Sequence, residues 1–156
     1  MDAVHVGALW VHTLAMVIVL GYYGIVARIV LPALRRSLDG PGLAVAVPAV
    51  ERRALPFVLA AAVAFIVTGA YLLVVDDRYT GIGDFSSSWS TLMLVKHLVI
   101  VVMLALAVVV DRLARSVGEA TDEGRGQVLD VLVLVADGAT AMGAIALLLT
   151  AVAQLG

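Results

Sequence analysis

The sequence predicts an all-α integral membrane protein, an up-down four-helix bundle with both termini on the outer side of the membrane. The first observation is composition, since 63% of the 156 residues are hydrophobic and 14% are charged. Soluble domains average about 45–50% apolar and about 25% charged residues. The second observation is that the charged residues divide the chain into four long apolar runs. The third is the sign of the charges between those runs, which differs from one loop to the next.

Composition also excludes several classes of protein. A small soluble domain buries only about two-thirds of its chain, so a water-soluble fold of this length has too little interior for so much apolar surface. Ten Lys and Arg residues against twelve Asp and Glu residues leave no basic face for nucleic acid. Because the chain has no cysteine, disulfides, iron–sulfur clusters and thiolate zinc sites are excluded. We therefore expect one membrane domain over residues 1–156.

Each apolar run is long enough for a helix across a hydrocarbon core of about 30 Å. The first run has no acidic or basic side chain between Asp2 and Arg28. Pro48 and Pro56 bracket the predicted start of the second helix, because proline is tolerated in the first turn. The predicted spans are, in order, about 4–33, 54–75, 90–111 and 128–154.

The loops between the runs set the predicted orientation. The second loop holds Arg78 against Asp76, Asp77 and Asp84. The positive-inside rule places the arginine-rich first and third loops in the cytoplasm, and the second loop and both termini outside. We expect a multi-pass protein of the cell (plasma) membrane. The seven arginines of the first and third loops are Arg35, Arg36, Arg52, Arg53, Arg112, Arg115 and Arg125.

Histidines inside the apolar spans mark the candidate site, because an ionisable residue near the bilayer centre costs at least about 2.5–3.5 kcal/mol unless it is buried or paired. At a rise of 1.5 Å per residue, His12 in the first span and His97 in the third both lie about 6 Å above the midplane. His5 lies seven residues before His12, on nearly the same face and further out. All three histidines therefore fall in the outer half.

Two imidazoles at one level on different helices suit a b-type haem. His12 and His97 are the candidate axial ligands, and His5 is an alternative ligand or a partner for a propionate at the outer rim. Copper competes for the same residues, because imidazole and thioether groups bind the reduced ion. Met16 shares a face with His12, and Met93 shares one with His97. A third interpretation needs no cofactor, since such histidines also hydrogen-bond neighbouring helices and methionines also pack.

Four other charged side chains complete the candidate set. Lys96 is predicted to extend outward, or to pair with Asp76, Asp77 or a haem propionate. Arg78 is a second outer cation for such a carboxylate. At the inner end, Arg28 and Asp137 form a candidate ion pair, with a proton relay as the alternative role of Asp137. The sequence has no phosphate loop, nucleophile elbow or HExxH motif, so nothing supports hydrolytic chemistry.

The first span resembles the first helix of the copper resistance D (CopD) domain family, with its early His, mid-helix Gly and closing Pro, in the run His12 to Pro32, HTLAMVIVLGYYGIVARIVLP. The Arg52-Arg53 pair and the Thr68-Gly69 pair are similar to the start and end of that family's second span. A third similarity is to the family's Trp-to-Lys signature with a closing Arg, in WSTLMLVKHLVIVVMLALAVVVDR from Trp89 to Arg112. The resemblance covers about residues 9–112.

The CopD resemblance implies copper directly. HemJ-type protoporphyrinogen oxidases belong to a related superfamily, share the first-helix His and the third-helix Lys, and include members that bind haem b. That resemblance implies roles for His12 and Lys96. His97 is a departure, because the CopD family more often has an aliphatic residue there. An added imidazole level with His12 favours bis-histidine haem.

We therefore expect a haem b electron-transfer protein rather than a stand-alone enzyme. The expected partners are the lipid bilayer, a quinone or other membrane redox partner, and either a second copy of the chain or a larger complex. The alternatives are copper binding or transport, and a structural accessory subunit that docks through small residues of the fourth span. Those residues are Gly138, Ala139, Ala141, Gly143, Ala144 and Ala146.

Overall fold

The computed structural model describes residues 3–79, 81 and 88–153. Every regular element in this part of the chain is helical, which confirms that the protein is all-α, as predicted. A π-helical turn at Val26–Val30 joins the first two helices. The α-helices are α1 Ala3–Ile25, α2 Leu31–Ser37, α3 Gly40–Val74, α4 Ser88–Glu119 and α5 Asp122–Ala153.

Four helical segments of the described chain are long and apolar enough to cross a membrane. They are Ala3–Ser37, which comprises α1, the π-helical turn and α2, followed by α3, α4 and α5. Large apolar side chains cover the outside of the bundle, with Trp10 67% exposed and Phe57 72% exposed. A continuous apolar exterior of this kind is typical of a surface that contacts lipid. The structure is therefore consistent with a multi-pass membrane protein.

The helix ends next to the second loop agree with the predicted spans, since α3 ends at Val74 and α4 begins at Ser88. The opposite ends differ, because α3 begins at Gly40 rather than near residue 54. Asp39 caps this earlier start, and its carboxylate accepts a hydrogen bond of 2.8 Å from the backbone N–H of Gly42. Asp84 and the predicted end of the fourth span at Gln154 lie outside the described residues.

The prediction that Pro48 and Pro56 bracket the start of a helix is wrong, because both lie inside α3. Pro48 has no N–H and leaves the carbonyl of Ala44 without its usual helical donor. Gly118 of α4 lies against this point, where a Cβ atom would be 3.2 Å from the Ala44 oxygen. The proline therefore lies at a close contact between α3 and α4.

The first segment and α5 run antiparallel. A Cβ on Gly24 would be 3.5 Å from the Thr140 methyl carbon. Further along, Arg28 forms an ion pair with Asp137 at 2.7 Å, and Arg35 pairs with Asp130 at 2.8 Å. Residue numbers thus rise along one helix as they fall along the other, as an up-down bundle requires. The predicted Arg28–Asp137 pair is confirmed.

The π-helical turn at Val26–Val30 has a local cause. Pro32 cannot donate a hydrogen bond to the carbonyl of Arg28, four residues earlier, and its ring crowds that group. The backbone N–H of Leu31 instead bonds to the carbonyl of Val26, five residues back. Arg28 therefore lies in the irregular turn.

Arg125 joins the two connections at the arginine-rich end of the bundle. Its buried guanidinium donates to the carbonyl oxygens of Ala120 at 2.7 Å and Val117 at 3.3 Å, which closes the end of α4. The same group lies 2.8 Å from the position of a Cβ on Gly40, at the start of α3. The α2–α3 and α4–α5 connections therefore lie at the same end.

Small residues of α5 are used within the bundle. A Cβ on Gly143 would lie 2.5 Å from Leu20 and 3.3 Å from the sulfur of Met103, so both neighbours pack against its backbone. Ala139 and Ala146 are buried in the same core. Of the small residues predicted to form a docking surface on α5, only Ala141 and Ala144 are exposed.

Candidate functional site

His12 lies at the contact between α1 and α3, in the half of the bundle next to the second loop. Its Nδ1 is 3.0 Å from the carbonyl oxygen of Phe65 and 3.1 Å from the hydroxyl of Thr68. The imidazole stacks on the Phe65 ring, with ring centroids 4.3 Å apart. Gly69 makes room for it, because a Cβ there would be 2.8 Å from Cε1 of His12. Hydrogen bonds and sterics thus fix the orientation of this ring.

The partners of Nδ1 also define the tautomer. A backbone carbonyl only accepts hydrogen bonds, so Nδ1 must donate to the Phe65 oxygen. The Thr68 hydroxyl donates to the Ala64 carbonyl at 2.6 Å and therefore accepts from the same Nδ1–H. A neutral ring protonated at Nδ1 carries its lone pair at Nε2. Histidines that bind metals commonly show this arrangement, in which a carbonyl fixes one ring nitrogen and the other is the ligand.

His97 adopts the same tautomer on α4. Its Nδ1 is 2.6 Å from the carbonyl oxygen of Met93, one turn earlier in the same helix. His97 is exposed, as are its neighbours Leu98 and Val101, so it lies on an outward-facing side of the bundle. Within the described residues, the hydrogen bonds and ring contacts of His12 and His97 do not join the two rings.

The helix register places His12 and His97 at similar levels along the bundle. Pro48 of α3 lies against Gly118 of α4. From this contact, 17 to 21 residues along α3 lead to Phe65–Gly69, and the same number back along α4 leads to residues 101–97. Because both helices rise by about 1.5 Å per residue, the α3 segment that holds His12 and the α4 turn that begins at His97 are level.

Lys96 is less exposed than its neighbour His97. Its side chain is half-buried, and its ammonium is within electrostatic range of the His12 imidazole. The predicted pairing of Lys96 with Asp76 is not among the ion pairs of the described residues. Lys96 thus places a positive charge beside the His12 site.

The end of the bundle next to the second loop holds two more of the predicted site residues, Arg78 and His5. Arg78 donates from Nε and a terminal nitrogen to both carboxylate oxygens of Asp76, at 3.0 and 3.1 Å, and lies 5.0 Å from the centre of the Trp89 ring. This guanidinium holds the pKa of the Asp76 carboxyl below its ordinary value. His5 is within electrostatic range of Asp76. Arg78 and His5 therefore belong to one cluster around Asp76.

The two predicted thioether ligands occupy different environments. Met16 is 3% exposed and lies one helical turn after the half-buried His12 on the same face of α1. Met93 is half-buried, and its backbone carbonyl is the acceptor of the His97 bond. No group of three or more His, Cys, Asp or Glu side chains positioned for a metal occurs in the part of the chain that the structure describes.

No family model, curated protein or solved structure matches this chain. The resemblance to the CopD family and the roles that it implies for His12 and Lys96 therefore stay predictions. At these positions the structure adds two observations. Hydrogen bonds and packing fix the ring of His12, and Lys96 lies within electrostatic range of it.

A second polar cluster was not predicted. Glu51, which the sequence places next to two arginines, is only 5% exposed inside α3. The Tyr22 hydroxyl of α1 donates a hydrogen bond to its carboxylate. One sequence signal marks this residue, because Glu51 is the only acidic side chain between Asp39 and Asp76. A lone carboxylate in a long apolar helix needs a partner, and tyrosines in the first span are suitable donors.

Proposed function

We propose that this chain is a cell-membrane protein that binds b-type haem through His12 and transfers electrons between a membrane partner such as a quinone and an acceptor on the outer side. The observation that carries the proposal is the hydrogen bonding of His12. Its Nδ1–H is donated to Phe65 and Thr68 of a neighbouring helix, which leaves the lone pair on Nε2.

The donor chemistry of the two imidazoles fits this group. Haem iron takes neutral imidazole ligands, and both rings have Nδ1 at a backbone carbonyl. Nε2 of His12 is not an orphaned buried atom, since the described residues contain no buried side-chain nitrogen or oxygen without a partner. His12 would hold the iron, and His97, which is exposed on α4 at a similar level, is the candidate for a second ligand.

A bound haem supplies reversible one-electron chemistry, and the apolar shell around it tunes the potential. The part of the chain in this process is to fix and shield the ligand. Phe65 and Thr68 hold the His12 ring against rotation, and the carbonyl acceptor raises its basicity as a ligand. Lys96 and Arg78 provide positive charge for propionates at the outer side.

Copper binding is the second candidate, and the position of Met16 favours it. The thioether lies one helical turn after His12 on the same face of α1. Imidazole together with thioether is a soft ligand set that suits the reduced copper ion. The haem and copper proposals share His12 and differ in their second ligand.

Absorption spectra and metal analysis of the purified full chain distinguish the proposals. Expression with haem precursors is expected to give a Soret band and iron, and His12→Ala is expected to remove both. Thr13→Val is the matched control, because Thr13 is the next residue and bonds only to the Leu9 carbonyl within α1. Copper that is lost in Met16→Leu supports the second proposal. A preparation with neither iron nor copper contradicts both.

The proposed orientation places the termini and the α3–α4 connection outside the cell. Support comes from the arginines, since Arg35, Arg125 and five others lie at the end that contains the α2–α3 and α4–α5 connections. Because the chain has no cysteine, single cysteines report topology cleanly. Asp77→Cys is expected to react with an impermeant maleimide in intact cells, and Glu123→Cys only after lysis. The reverse pattern contradicts the orientation.

A further inference from the structure

Glu51 is the only buried carboxyl group among the residues that the structure describes. It belongs to α3, and the Tyr22 hydroxyl of α1 donates to its Oε2 atom. Tyr23, which is also buried, contacts the Tyr22 ring edge to face at a centroid distance of 5.2 Å. Tyr22 lies ten residues after His12, so about 15 Å of helix separates this cluster from the proposed haem ligand.

The charged groups that face Glu51 leave its carboxylate only partly compensated. From α4, Asp111 and Arg115 lie within electrostatic range of it. They bond to each other at 2.8 and 3.0 Å, so the guanidinium is already engaged with an acid. From its own helix, Arg52 lines the adjacent groove. The sides facing α2 and α5 are apolar, with Leu34 and Leu132 among the contacts.

Glu51 lies between a small cavity and a larger groove. The cavity lies among α1, α3, α4 and α5, and the centre of a water molecule has about 10 Å³ available in it, which is room for about one water. The groove lies between α3 and α4 and offers about 410 Å³ to water centres, with Pro48, Ala49 and Arg115 in its wall. Glu51 lines both spaces and therefore lies between them.

Two opposing interactions act on the equilibrium between the ionised and the protonated form of Glu51. Burial disfavours the ionised carboxylate, and the Tyr22 hydroxyl favours it by donating a hydrogen bond. Carboxyl groups inside membrane bundles that face a water-filled space commonly carry protons. Glu51 combines a buried carboxyl group with an adjoining groove between α3 and α4.

We propose that Glu51 is a proton-binding site that exchanges protons with water through the groove between α3 and α4. The carboxylate takes a proton from hydronium to give the acid and water, and the buried charge changes from −1 to 0. Tyr22 donates its hydroxyl hydrogen bond to the ionised group and thereby positions it. The site opens at the end of the bundle that carries the α2–α3 and α4–α5 connections, and it is independent of the proposed haem site.

Infrared spectroscopy of the full chain in liposomes tests the proposal. The C=O stretch of a protonated carboxylic acid is expected to lose intensity as the pH rises and to shift in D₂O. Glu51→Gln removes this band, and Asp111→Asn is the matched control that retains it. Tyr22→Phe keeps the band at a changed frequency, which provides a second variant where Glu51→Gln fails to fold. A band that is absent from the unmodified chain, or that persists in folded Glu51→Gln, overturns the proposal.

The route for protons has its own test. Ala49→Leu places a larger side chain in the groove wall and is expected to slow hydrogen–deuterium exchange of the Glu51 band severalfold. Ala60→Leu is the matched control, because Ala60 is exposed on the same helix away from the groove. Equal exchange rates in the two variants contradict the groove as the route. His12→Ala is expected to leave the band unchanged, so failure of the haem proposal does not affect this result.

Discussion

Replacing Gly69 with alanine is predicted to displace the His12 ring. The new Cβ would lie 2.8 Å from Cε1 and 3.3 Å from Nδ1 of the imidazole, closer than the optimal separation of non-bonded atoms. The ring has little freedom to move, because it stacks on Phe65 and bonds to that residue's carbonyl. Overpacking of this kind costs about 1–3 kcal/mol, and loss of the Nδ1 hydrogen bond costs about 1 kcal/mol more.

Gly21→Ala in α1 is the matched control, because no atom outside the local helix lies within 4 Å of the Cβ it would add. Both substitutions gain about 1 kcal/mol of helix propensity, so the difference between the two variants isolates the clash. Unfolding by sodium dodecyl sulfate in mixed micelles, followed by circular dichroism, measures the free energy of unfolding. We expect Gly69→Ala to be less stable than Gly21→Ala by about 2–4 kcal/mol.

The His12→Ala background completes a double-mutant cycle. Removal of the imidazole removes the atoms that would clash with the new methyl group, so Gly69→Ala is expected to match Gly21→Ala in this background. The same destabilisation with and without the imidazole would refute the placement of His12 against α3.

Three further predictions concern the ends of the helices. Asp39→Ala removes the cap of α3 and is expected to lower the free energy of unfolding by about 1 kcal/mol, whereas an unchanged value contradicts the early start of this helix. Arg28→Gln and Asp137→Asn are expected to show a coupling of about 1 kcal/mol in a double-mutant cycle, and zero coupling argues against the pair. Because Arg78 lowers the pKa of Asp76, the stability that this ion pair contributes is expected to be fully present above a pH of about 4. It is expected to be lost as the pH falls further. In Arg78→Gln, an equally steep loss below that pH would contradict this origin.

The relative level of residues along the bundle was predictable from the sequence, and rotation about the helix axes was not. Charges in long apolar runs have few partners available, so the Arg28–Asp137 pair follows from the level of each residue. The same counting of residues along the helices places His97 level with the contact between His12 and α3. Its outward-facing side does not follow, because residues 92–110 are all apolar apart from Lys96 and His97, so no polar face marks which side of this part of α4 faces inward.

The start of α3 is a second feature that the sequence did not predict. Prolines predict a helix boundary in an isolated sequence, and Pro48 therefore indicates a start rather than an interior position. In the folded chain, Gly118 packs against the carbonyl that Pro48 leaves without a donor. Glu51 consequently lies inside the helix and meets Tyr22, although the sequence places it next to two arginines in a predicted loop. Contacts between helices therefore accompany both the interior position of Pro48 and the burial of Glu51.

Nitrogen-15 NMR of the full chain labelled at histidine is the measurement that tests the account of His12 most directly. The chain has three histidines, and His12→Ala assigns the signals. The account predicts a His12 ring with a protonated Nδ1 and an unprotonated Nε2, and a change in these signals when haem is added. A ring protonated at Nε2, or His12 signals that haem leaves unchanged, would contradict it.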